Sequence, residues 1–328
     1  MSRESKEPKM ASKITRFDMY CDLAERLGYA EGVRMDANET AYFARQLESI
    51  DKKLYEKRYP EFKGTQIVPI MSGVDEGAEE YTFRSITEYG ISDPIANYGD
   101  KIKRGDVQGA EESTKLFGHA LGYGYTIQDM RRGRMTGQPL DASRALGVRR
   151  GIAARNDEVL AIGYAALGIK GFYNNASVEL VSPTTGTWSG ATADQIAADL
   201  HKIENDIITD SKGAEMPNVL VLPPSLFGYA NTKLRTNTDT TALQAFLKNS
   251  QSVKECVIWA RGETAGSGSV ARIAMGRRDP ETLEGILPVP FYQMAPQQEG
   301  LGFVVNCDSR CGGVVFRYPG AWRYTDGC

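Results

Sequence analysis

A chain of 328 residues, 41% hydrophobic and 25% charged, has an ordinary globular composition and room for two domains or one domain with insertions. Its net charge of −3 is too small to point to nucleic acid or membrane, and no apolar run approaches the ~20 residues that span a bilayer. The polar amino terminus lacks the apolar core of a secretion signal, and Cys21, Cys256, Cys307, Cys311 and Cys328 are too scattered for a disulfide framework, so a cytosolic chain with free thiols is expected.

Residues 1–63 read as an arm. It opens basic, with Lys6, Lys9, Lys13 and Arg16, and continues as short amphipathic helical pieces over 17–27 and 41–55. The arm has little core of its own, which predicts that another body holds it. Strand propensity follows over 66–70 and 81–89, where Tyr81, Phe83, Thr87 and Tyr89 alternate with Thr82, Arg84 and Glu88. The Gly-rich, acidic stretch between them predicts a long hairpin within 64–108, with Asp75, Glu76, Glu79 and Glu80 at its tip and arms of about 25 to 30 Å. An isolated two-stranded hairpin is marginal in water, so it must lie against its own domain or another copy.

A turn-rich passage and a Gly/Tyr segment, 118–125, lead to a short helix that Thr126 and Asp129 cap and Gly137 stops. Pro139 and Asp141 then open a long helix, in which Ala145, Val148, Ile152, Val159 and Ile162 form one apolar stripe. From Leu140 to Gly163 it would run roughly 36 Å. Arg144, Arg149, Arg150, Arg155, Asp157 and Glu158 fall largely off the stripe and are expected to face water or a partner.

The polar stretch 182–190 reads as the passage into a second domain. There Thr192 and Gln195 form a capping box, and Ile196, Leu200, Ile203 and Ile207 make an unbroken stripe. A buried strand over 219–222, a helical turn after Pro224, a helix over 240–249 and strands over 257–259 and 270–275 follow. The end is mainly strand, over 291–294, 302–307 and 313–318. The class is α+β.

No catalytic constellation emerges. The Gly-rich 262–268 lacks the lysine of a phosphate-binding loop, no serine stands in a nucleophile elbow, and His119 and His201 lack partners for acid–base work. Cys307 and Cys311 flank a predicted turn and could meet, but a zinc site needs more ligands than the chain offers. No cofactor, metal or enzymatic activity is expected.

The order of arm, hairpin, long helix, mixed domain and closing strands resembles the major capsid proteins of tailed bacteriophages, with their Hong Kong 97 type of fold. Tyr42-Phe43-Ala44-Arg45-Gln46-Leu47-Glu48, Tyr55, Tyr59-Pro60, Ile95-Ala96-Asn97-Tyr98 and Arg317-Tyr318-Pro319 are similar to one branch of these coat proteins. The resemblance runs from about residue 40 to the carboxyl end. It implies an amino-terminal arm (1–63), an extended loop (64–108), a peripheral domain built on the spine helix (109–182), an axial domain (183–285) and closing strands that return to the peripheral domain (286–328). It further implies hexamers and pentamers in an icosahedral virion shell around double-stranded DNA, assembled in the host cytoplasm with portal, scaffold or decoration proteins and no membrane. In that setting the acidic tip would meet the spine arginines of an adjacent subunit, and Lys6, Lys9, Lys13 and Arg16 would face the interior or a neighbour. An encapsulin-like compartment, and an enzyme with a cryptic site in 182–268, stay open as alternatives.

Overall fold

A computed structural model describes residues 60–90, 104–137 and 140–328. The first half contains α1 (Gly64–Ile67), β1 (Glu80–Tyr89), β2 (Asp106–Lys115), β3 (Phe117–Thr126), α2 (Ile127–Thr136), α3 (Leu140–Ile162), β4 (Gly163–Tyr164), β5 (Ile169–Lys170) and β6 (Glu179–Leu180). After these come α4 (Ala193–Asp210), β7 (Val219–Leu222), α5 (Pro224–Thr232), α6 (Ala242–Asn249), β8 (Glu255–Ile258) and β9 (Arg272–Gly276). The closing segment holds β10 (Leu283–Ile286), β11 (Val289–Gln293), β12 (Gln297–Glu299), β13 (Gly302–Cys311), β14 (Gly313–Phe316) and β15 (Trp322–Asp326).

The hairpin pairs different segments from those expected. β1 runs antiparallel to β2, from Glu80 opposite Lys115 to Tyr89 opposite Asp106, so the acidic stretch lies at the root of the hairpin rather than at its tip. Two causes are visible. Ile67 and Val68 are adjacent and both fully buried, which a hairpin strand with one face to solvent would not achieve, and the helical turn Gly64–Ile67 with the residue after it places them on the core instead. The true partner strand is exposed along nearly its whole length and carries no apolar alternation that would announce it.

β3 forms a ten-pair antiparallel ladder with β13, from Phe117 opposite Cys311 to Thr126 opposite Gly302. β13 also pairs with β11 and β12, and α3 packs on this sheet through Val148, Ile152, Val305 and Cys307. Thr126 caps α2 as expected, accepting from the Asp129 N–H at 3.1 Å, and Gly137 ends it in the left-handed region.

In α3 the stripe residues Val148, Ile152 and Val159 are buried, whereas Ile162 is partly exposed at the helix end. Asp157 departs from the expectation, being buried with both carboxylate oxygens in use. Oδ1 accepts from the Gly64 N–H at 2.9 Å and from Trp259 Nε1 at 3.2 Å, and Oδ2 from Arg261 Nε at 3.1 Å. Near its end α3 is covered on several sides, as the burial of Leu160 and Ala161 shows, so a charge off the stripe must find internal partners. At Gly163 the chain doubles back with φ +75, and a Cβ there would meet the Ile169 carbonyl oxygen at 2.2 Å, so only glycine fits the turn.

A further sheet has five strands in the order β6-β15-β9-β7-β8. α4 covers one face with Ile196, Leu200, Ile203 and Ile207, joined by Leu243 and Phe246 of α6. Capping boxes at Thr192 and Thr241 start these two helices. On the other side an aromatic core gathers Phe172, Tyr173, Trp259, Phe316, Trp322 and Tyr324. The closing strands divide. β10 pairs with β14, and β11 to β13 build the sheet under α3, but β15 enters the five-stranded sheet between β6 and β9, contrary to a wholesale return to the peripheral part. Cys307 and Cys311 do not flank a turn. They stand four residues apart on β13, roughly 13 Å along an extended strand and beyond disulfide reach.

Candidate assembly surfaces

Among the described residues, the hairpin packs on the core at its root. Tyr81 and Phe83 pack on Met71, Leu116, Ile286 and Val315. Farther out, Arg84 Nε donates to Glu111 Oε1 at 2.7 Å in the open, an ion pair that contributes at most about 1 kcal/mol. Beyond that pair Ile86 is 71% and Val107 59% exposed. Ile86 stands opposite Gly109, and Val107 lies diagonally across the same face, so two apolar side chains share one face that stays open among the described residues.

The carboxylates of Asp75, Glu76, Glu79 and Glu80 are all exposed and, among the described residues, have no hydrogen bond or ion pair. Their backbone is fixed instead. Arg310 of β13 donates to the Glu76 carbonyl at 2.6 Å and to that of Ala78 at 2.7 Å, and the Leu116 N–H donates to the Glu79 carbonyl at 2.8 Å. The loop is rigidly presented while its charges stay open.

The four spine arginines are occupied within the chain. Arg144 donates to the Gly124 carbonyl at 2.8 Å and to Asp129 Oδ2 at 3.3 Å. The Asp129 carboxyl is held below the usual carboxylate range by the Thr126 N–H and, secondarily, by Arg144. Arg149 lies 5.8 Å from the ring centre of Phe291 and Arg150 5.7 Å from that of Phe62. Arg155 pairs with Glu158 at 3.0 Å and covers the Tyr164 ring at 4.9 Å. The fold therefore does not bring these arginines to the acidic loop of their own chain. Lys6, Lys9, Lys13 and Arg16, like the motif at 42–48, lie outside the described residues.

A basic cluster on α2 escaped the sequence reading. Arg131, Arg132 and Arg134 are exposed, and only Arg132 reaches an acid, Asp129, at 3.8 Å. The signal was present as three arginines within four residues, but a short helix with no apolar stripe draws attention only once its exposure is known. Of the two histidines, His201 Nδ1 lies 3.2 Å from the buried Glu204, which also accepts from Ser250 and Ser252. His119 lies on β3 with both ring nitrogens enclosed and unpartnered, and burial, aided by Arg155, pushes its pKa down. A cleft of about 220 Å³ between α3 and β11 is lined by Phe62, Thr65, Arg149, Asn156 and Phe291. Among the described residues no group of three or more His, Cys, Asp or Glu could hold a metal ion, and no helix is long and apolar enough to cross a membrane.

Comparison with known proteins gives this geometry its context. The capsid of Myoviridae phage XM1 superposes with a TM-score of 0.78 at 13% identity, over 88% of this chain and 99% of that chain. The capsid of a native GTA particle gives 0.63 at 9% identity over 89% and 99%, and a virus-like particle from Pyrococcus furiosus gives 0.51 at 10% over 80% and 91%. At such identities the likeness speaks for the fold, which is the Hong Kong 97 type. No curated protein matches the sequence. The family model for the major capsid protein matches residues 90–328, well over half of the chain, and on that ground the chain belongs to the major capsid protein family.

Proposed function

We propose that the chain assembles with copies of itself into hexamers and pentamers that close an icosahedral shell around double-stranded DNA. The single observation that carries this reading is the hairpin. A ladder of ten residue pairs runs out from an anchored root and leaves Ile86 and Val107 uncovered among the described residues, an arrangement that becomes stable when a neighbouring subunit supplies the covering surface. In this reading the protein is a virion component assembled in the host cytoplasm and performs no catalytic step. A portal, a scaffold or decoration proteins act with it, and its contacts with DNA are non-specific. The likeness to the virus-like particle from Pyrococcus furiosus favours a second reading, a compartment shell without a genome, but the higher TM-score of the phage XM1 capsid weighs toward the first.

The test is electron microscopy of the purified chain, expressed alone and with its genomic neighbours, followed by nuclease treatment and extraction of protected nucleic acid. Closed icosahedral particles with protected double-stranded DNA are expected when packaging proteins are present. A chain that remains monomeric at high concentration in both settings overturns the reading, and closed particles that hold a cargo protein in place of DNA support the compartment.

A further inference from the structure

The acidic loop and the basic helix α2 both carry exposed charges without a partner among the described residues, and they sit at opposite ends of one rigid ribbon. The loop is tied to β13 by Arg310, whose strand partner is Gly118, near the start of β3. At the other end the ladder closes with Thr126 opposite Gly302, and α2 begins at the next residue, anchored by the Ile127 N–H on the Leu301 carbonyl at 3.1 Å. Eight steps of extended strand, roughly 27 Å, separate the two ends. The loop cannot reach α2 of its own chain, because both are fixed to a ladder that does not bend back.

We propose that Asp75, Glu76, Glu79 and Glu80 of one subunit dock against Arg131 and Arg134 on α2 of the next, head to tail along this ribbon. Arg131 and Arg134 lie three residues apart and so share a helix face, and Met135, 89% exposed, borders them. α2 half-buries Ile127, Asp129 and Met130 against its own chain and leaves Arg131, Arg134 and Met135 exposed, and Arg and Met are types enriched where protein surfaces meet. Neither arginine has a hydrogen bond, ion pair or ring contact among the described residues, in contrast to Arg144, Arg149, Arg150 and Arg155. A nucleic-acid backbone would account for the arginines alone. It would leave the open carboxylates at the far end of the ribbon unexplained, whereas a second copy accounts for both ends at once. Two different patches that complement each other across copies make a heterologous contact, and such contacts close into rings when the rotation between copies is right. The inference rests on the shell-forming reading and adds to it which charges set neighbouring subunits in register.

A charge swap decides the matter. Arg131→Glu with Arg134→Glu makes one variant, Asp75→Lys with Glu79→Lys a second, and all four substitutions a third, each checked for native circular dichroism. The readout is the fraction of protein in closed particles by sedimentation and electron microscopy. Either charge-reversed variant is expected to lower that fraction about tenfold or more, as like charges juxtaposed across a contact would do, and the combined variant is expected to recover most of it. If the reversed variants assemble like the unmodified chain, or if the combination fails to recover assembly, the proposal is wrong. If the arginine variant closes normal particles that lose protected DNA, α2 is a genome contact and the proposal is equally wrong. Failure of the unmodified chain to form any particle would instead count against the shell reading itself.

Discussion

Trp259 Nε1 donates a hydrogen bond to Asp157 Oδ1 at 3.2 Å, joining the spine helix to the segment after β8 in the interior of the protein. With Gly64 and Arg261 on the same carboxylate, one side chain ties three separate stretches together. Asp157→Ala should strand two buried N–H donors and an arginine, costing about 3 to 5 kcal/mol, while Asp157→Asn, which keeps one acceptor oxygen, should cost clearly less. Urea unfolding of the dissociated subunit measures both, and equal losses for the two would refute this account of the site.

His119 predicts a pH effect above the carboxylate range. Its pKa in the fold lies below the ordinary 6.5 because burial and Arg155 disfavour the imidazolium, with the Ile152 backbone and then Asp308 opposing. The unfolded chain therefore binds the proton first as pH falls. The stability that neutral His119 contributes is complete above about pH 6.5 and is lost as pH drops from there toward the lowered value. Thermal unfolding at pH 7.5 and 5.5 should show a decline that His119→Phe reduces, and an undiminished decline in that variant would assign the effect to other groups.

Shortening the hairpin should separate folding from assembly. Deleting residues 86–109 with a two-glycine link removes exposed strand and spares the anchored Tyr81 and Phe83. The circular dichroism spectrum and melting temperature should hold close to those of the full chain, while closed particles disappear. Normal particles from this variant would show that the hairpin is dispensable.

The thiols of Cys307 and Cys311 should resist alkylation in the native protein. Both are buried, and burial pushes the Cys311 thiol up to about 11, so little thiolate exists at pH 8. Mass spectrometry after iodoacetamide treatment should find these two labelled quickly only in denaturant. A bridged peptide linking them in non-reduced protein would contradict the strand geometry.

Much of the fold was legible wherever a side chain's periodicity and its burial agree. The helix after Thr192 carried both a cap and a complete stripe, and the spine helix announced itself through Val148, Ile152 and Val159. What escaped notice had no such agreement. β2 buries nothing, so its mostly polar sequence holds no alternation, and the sequence alone places the acidic stretch at the wrong end of the hairpin. Asp157 looked like a surface charge because its partners come from positions 64, 259 and 261, a meeting that no local window contains. The surfaces fared differently again. Arg144, Arg149, Arg150 and Arg155 are identifiable as a basic face, but only the three-dimensional structure reveals that their own chain already engages them and that Arg131 and Arg134 of α2 stay open among the described residues.

The position of β15 between β6 and β9 has a consequence for synthesis. On the ribosome, residues 272–276 emerge well before residues 322–326, and during that interval one edge of β9 offers unsatisfied N–H and C=O groups. Such an edge is a template for any suitable strand, and on a polysome the nearest suitable strand is the equivalent segment of another nascent copy. Borrowing it would produce interlocked chains whose sheets are complete but whose subunits cannot separate. For a protein made in large numbers at once, slower initiation or lower temperature is thus expected to raise the yield of separable subunits, because each nascent chain then has time to recruit its own strand.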